Sequence, residues 1–142
     1  MTDEQIEKRN WLNRAYYAEK KLTALQDKCK CDKERAERVS QVYGGVDKGK
    51  SDSRENGTQK LLDALMDSIE ECDRYAEVYA SIRREIETEI ATLNEPVTEA
   101  IFIHRHINYL SMEEIAEVMH YERSAIQRKY KDGLKKMLHK ST

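Results

Sequence analysis

The chain has 142 residues, of which 37% are charged and 39% hydrophobic, with five Gly and one Pro. That balance excludes one large globular core and predicts an all-α chain of long solvated helices with narrow apolar seams. The formal net charge is −2, but it is partitioned: 3 basic against 10 acidic residues from Leu61 to Glu95 give −7, and 7 basic against 2 acidic from Tyr121 to Thr142 give +5. A basic C-terminal segment on a mildly acidic chain predicts a directed contact with nucleic acid. Ile101-Phe102-Ile103 is about the longest aliphatic stretch, so no membrane span is expected. The opening Met1-Thr2-Asp3-Glu4 has no basic flank or apolar region, and no signal peptide is expected. Three cysteines, with Cys29 and Cys31 too close for an ordinary disulfide, point to a reducing cytoplasm.

In chain order, residues 1–38 read as one long helix. They contain neither Gly nor Pro, and Trp11, Ala15, Ala18, Leu22, Leu25 and Cys29 fall on one heptad frame. Residues 39–58 carry Gly44, Gly45, Gly49 and Gly57 among Ser, Asp, Lys and Asn, which predicts a flexible linker. Thr58 is a candidate N-cap for a second helix over 59–93. Its expected seam is Leu62, Leu65, Ile69, Cys72, Ala76, Tyr79, Arg83, Ile86, Ile90 and Leu93, with Arg83 as a register-fixing exception. Two helices of similar length joined by a linker predict an antiparallel coiled-coil hairpin. Leu61, Tyr75 and Ile82 then fall beside its interface, and a homodimer forming a four-helix bundle would bury them.

Asn94-Glu95-Pro96 ends that helix and opens a compact unit over 94–142. A helix from Pro96 to Asn108 is expected, then a capping box at Ser111 and Glu114, a short helix to Met119, a turn at His120-Tyr121-Glu122, and a last helix from Arg123 to His139. The last two have the lengths and separation of a helix-turn-helix. Ile126, Tyr130, Leu134 and Met137 form the buried stripe of the last helix. At about 100° per residue, Ser124, Gln127, Arg128, Lys131 and Lys135 share an opposite arc that holds no acid. Arg and Gln there suit guanine and adenine edges, whereas Lys131 and Lys135 suit phosphates. Arg123, at the helix start, suits phosphate or the groove edge. The plainer reading is an amphipathic helix whose cationic last turn complements its dipole.

Residues Ser111 to Ser141, SMEEIAEVMHYERSAIQRKYKDGLKKMLHKS, resemble region 4 of bacterial sigma factors without a gap. The hydroxyl-x-Glu-Glu-aliphatic-Ala opening, Ile126 and the Gly133-Leu134-Lys135-Lys136-Met137 tail carry the resemblance. It implies a promoter-reading unit, with contacts at Arg123, Ser124, Gln127 and Arg128. Glu122 stands where Thr or Ser usually caps the reading helix, and Ser124 where Glu often reads bases, so promoter specificity does not carry over. No segment upstream resembles the promoter-melting region. Long helices ahead of a stand-alone region 4-like unit resemble the ArpU/RinA-like group of phage and prophage transcriptional regulators. The expectation is a non-enzymatic regulator whose partners are double-stranded DNA and a second copy, with RNA polymerase as a further candidate.

Two other classes fit the same elements. A small terminase subunit also combines a helix-turn-helix with long helices, but forms closed rings. A region 4-like unit could instead bind RNA polymerase without DNA. No catalytic arrangement, cofactor or metal site is expected. Cys29-Lys30-Cys31 with Cys72 lacks a full ligand set, and seam cysteines behave as small hydrophobes. His104 and His106 lie two apart on different faces and are expected at a surface or interface, with Arg105 as a phosphate contact. The linker glycines lack phosphate-loop spacing.

Overall fold

The computed structural model describes residues 1–43 and 52–140, and these are all-α. Six helices follow in order: α1 (Asp3–Leu12), α2 (Arg14–Tyr43), α3 (Asp52–Ala91), α4 (Pro96–His106), α5 (Met112–Met119) and α6 (Arg123–Lys140). The run expected to be one N-terminal helix is interrupted at Asn13, with no Gly or Pro to announce it. The Arg14 guanidinium donates to the Trp11 carbonyl at 3.0 Å, and Arg14 and Lys8 both lie over the Trp11 ring. One side chain thus satisfies a carbonyl left over at the break and covers the adjacent indole. The start of α1 carries a capping box, Thr2 with Gln5.

Helix extends further into the Gly- and Ser-rich stretch than expected. α2 runs to Tyr43 and α3 begins at Asp52, so Thr58 lies inside a helix and is not its cap. Of the four glycines on which the linker expectation rested, Gly57 lies within α3, and Gly44, Gly45 and Gly49 lie outside the described residues.

The chain divides into two compact units, Lys20–Val78 and Met1–Glu19 together with Tyr79 onward. In Lys20–Val78, α2 and α3 form an antiparallel hairpin. Lys21 lies over the Tyr75 ring, Lys28 pairs with Glu71 at 3.4 Å, and the Ser68 hydroxyl donates to the Asp32 carboxylate. As numbers rise along α2, their partners' numbers fall along α3. The Asp32–Ser68 pair places a polar contact on an otherwise apolar seam, a device that fixes register.

The α2 seam continues the expected frame through Asp32, Ala36 and Val39, all at least half-buried. The α3 seam differs from expectation. Leu61, Leu65, Ser68, Cys72 and Tyr75 face inward, while Leu62 and Ile69 are exposed. Of the ten expected positions, seven are at least half-buried, namely Leu65, Cys72, Ala76, Tyr79, Ile86, Ile90 and Leu93. The other three, Leu62, Ile69 and Arg83, are exposed, and the residue before each, Leu61, Ser68 and Ile82, is the one that is covered. Both columns recur at heptad spacing and both are largely apolar, so periodicity alone could not separate them.

In the other unit, Lys8–Glu89 at 3.0 Å and Arg14–Glu85 at 2.7 Å hold the start of the chain to the end of α3. Leu12, Ile86, Ile90, Ile101, Phe102, Ile115, Ile126 and Leu134 build one core with Met137. α6 packs against α1, α4 and α5. The compact unit that contains the three short C-terminal helices therefore also takes in α1 and the last turns of α3.

Candidate nucleic-acid interface

α6 is amphipathic by sequence and is seated accordingly. Ile126, Tyr130, Leu134 and Met137 are buried at spacings of four, four and three. Gly133 lies on the same side, where a Cβ would collide with Phe102 Cε2 and stand 2.8 Å from its Cζ. The missing side chain lets α4 and α6 approach closely. The Phe102 ring stacks on Tyr130 at 4.6 Å, and Tyr130 shares a hydrogen bond of 2.9 Å with His106 Nε2. Together these contacts fix the rotation of α6 about its axis.

His106 is therefore a core residue, 1% exposed, and not the surface or interface side chain expected from sequence. Burial, with the Arg105 charge beside it, pushes its imidazole down to about 3, so it is neutral at physiological pH. Its Nδ1 is buried with no hydrogen-bond partner. His104, two residues away, lies half-buried on another face within 3.4 Å of the Asn108 amide. Arg105, expected to meet phosphate, donates instead to the Leu110 carbonyl at 3.0 Å and braces the α4–α5 connection.

The α5–α6 connection is short. The Ser111–Glu114 capping box forms at the start of α5, and His120 closes that helix in the left-handed region at φ 61°. The Ala125 and Ile126 amides donate to the Glu122 carbonyl, so the backbone of Glu122 serves the start of α6. Tyr109, ahead of α5, also has positive φ, 63°. Its hydroxyl meets that of Tyr79 at 2.8 Å and donates weakly to the Ala15 carbonyl. These bonds from α3 and α2 hold a bulky residue in a conformation it rarely adopts.

All six expected contact residues, Arg123, Ser124, Gln127, Arg128, Lys131 and Lys135, are exposed. Five of them line one shallow concavity of about 330 Å³ on α6. Arg128, Lys131 and Lys135 make no ion pair among the described residues. Arg123 stands apart from the other five. Its guanidinium is paired with Glu113 on α5 at 2.7 Å, so its charge is already engaged. Asp132 joins the same concavity beside Arg128. The expected arc itself contains no acid, but Asp132 sits one flank away, and the surface is wider than the arc. Lys136, outside the concavity, reaches back to Glu95 at 3.1 Å.

Such a surface offers one guanidinium, one amide, one hydroxyl and two ammonium groups along one side of an anchored helix. It can donate to base edges and phosphates, and it lacks a nucleophile–base pair. Cys29, Cys31 and Cys72 are all free, and the described residues contain no cluster of three or more His, Cys, Asp or Glu side chains arranged to hold a metal. None of the described helices is long and apolar enough to cross a membrane. Comparison with protein-family models, with curated proteins and with solved structures finds no match.

Proposed function

We propose that the protein is a sequence-specific DNA-binding transcriptional regulator of phage or prophage genes. On this reading α5 and α6 form a helix-turn-helix braced by α4, of the sigma region 4-like kind that the sequence of residues 111–141 resembles. α6 enters the major groove with Ser124, Gln127 and Arg128 toward base edges, while Lys131 and Lys135 engage phosphates. The hairpin of α2 and α3 serves dimerisation or partner docking. One observation carries the reading: α6 is buried along one side, while its other side holds unpaired cations and an amide in a single open concavity. A helix serving only to close the core would also expose that side, so the absence of ion pairs on Arg128, Lys131 and Lys135 among the described residues is what favours the reading. The sigma-like signature and the charge partition, +5 over residues 121–142, support the same reading.

Genome-scale mapping of bound DNA, with Arg128→Ala as the control, tests it. The expected result is enrichment upstream of a few operons, lost in the variant. Absence of bound sites, or sites indifferent to the substitution, would refute the groove assignment.

A further inference from the structure

We propose that the hairpin pairs with a second copy of this chain through Leu62, Met66 and Ile69, with the two α3 helices parallel and in register. This takes one branch of the hairpin role proposed above and is independent of DNA recognition.

Three columns run side by side on α3. Leu61, Leu65 and Ser68 face α2. One residue on, about 100° around the helix, come Leu62, Met66 and Ile69. One residue further come Asp63, Asp67 and Glu70. The middle column is 42%, 61% and 43% exposed. Single exposed apolar side chains need no explanation, but three aligned at steps of four and three make a seam without a partner.

Charge identifies the occupant and its direction. From Gly57 to Val78, α3 carries 2 basic and 6 acidic residues, net −4; from Lys20 to Gln41, α2 carries 7 basic and 4 acidic, net +3. If two α3 helices packed antiparallel on the middle column, each acidic column would face the other. In a parallel pair, the two-fold axis turns each acidic column toward the α2 of the other copy. Lys28 engages Glu71 on one flank of the hairpin. Helical geometry puts Lys30 and Lys33 on the opposite flank of α2, the one beside the exposed column. Lys30, Lys33, Asp67 and Glu70 make no ion pair among the described residues. Two copies would then bury the apolar column and match acid to base along both sides, an isologous arrangement.

Sedimentation of the intact protein without DNA tests the pairing. The expected species is a dimer. Met66→Lys, which leaves Glu70 one turn away as a helix partner, should weaken it at least tenfold while leaving the thermal unfolding profile of the isolated chain cooperative. Lys30→Glu with Lys33→Glu should also weaken it, and adding Asp67→Lys with Glu70→Lys should restore it. Direction is read by cross-linking after Cys29, Cys31 and Cys72 are replaced by Ala. Leu62→Cys and Ile69→Cys should each form a disulfide with its own copy. A monomer at all concentrations, or cross-links only between the two different variants, would overturn the proposal. DNA binding by such a monomer would leave the groove assignment standing.

Discussion

His106 Nε2 lies 2.9 Å from the Tyr130 hydroxyl, in a core bond between α4 and the underside of α6. The imidazole is held neutral there, pushed down to about 3 mainly by burial. In the unfolded chain a histidine takes up its proton near 6.5. Between about 3 and 6.5 the unfolded state therefore binds a proton that the folded state refuses, and stability rises with pH through that window. The slope this residue contributes is at most about 1.4 kcal/mol per pH unit. Urea unfolding at pH 4.5, 5.5, 6.5 and 7.5 measures it. His106→Phe combined with Tyr130→Phe removes both polar partners and should flatten the slope; an unchanged slope would place the titrating group elsewhere.

Gly133 leads to a second expectation. Ala is favoured over Gly in a helix interior by about 1 kcal/mol. At 133, however, the added carbon meets Phe102, whose ring is already stacked on Tyr130, and comes within 3.0 Å of Thr98 Cγ2. Overpacking of this kind costs about 1–3 kcal/mol. Gly133→Ala should therefore lower the denaturation midpoint despite its better propensity. A rise would mean that Phe102 can move aside.

Lys131 and Lys135 should act through phosphates alone. Lys131→Ala is expected to weaken DNA binding about equally on all sequences and to reduce the salt slope by about 1. Binding titrations at several salt concentrations give both quantities, and a change in sequence preference would argue for a base contact.

Asp132 should work against the cations around it. It lies in the same concavity as Arg128, Lys131 and Lys135. A carboxylate there repels phosphate without favouring any base by charge alone. Asp132→Asn should tighten binding to random-sequence DNA and to a specific site about equally, leaving their ratio unchanged. A change in that ratio would assign Asp132 a part in reading bases.

Arg123 is engaged with Glu113 at 2.7 Å. An exposed pair of this kind contributes about 0–1 kcal/mol to stability. Glu113→Gln should leave folding nearly unchanged and release the guanidinium, strengthening DNA association at low salt. No gain would mean that Arg123 does not face the duplex.

Much of this architecture was legible in the residues. The Pro96 break, the Ser111–Glu114 capping box and the buried stripe from Ile126 to Met137 are local patterns, set by hydrogen-bond supply and a 3.6-residue period, and the helices form where those patterns lie. The exposed face of α6 follows from the same period, because burying one stripe leaves the opposite arc to solvent. The α2 seam was legible for the same reason. Other features depend on which elements meet. Two apolar columns on α3 satisfied one heptad pattern, and only contact with α2, through Asp32 and Ser68, selected between them. His104 and His106 look alike in sequence, but the packing of α4 on α6 buries one and leaves the other half-exposed. Arg123 and Asp132 are likewise decided by neighbours brought close through the turn and the helix flank. Local periodicity specifies which face is apolar; the approach of a second element specifies which apolar face is covered, and which charges remain free.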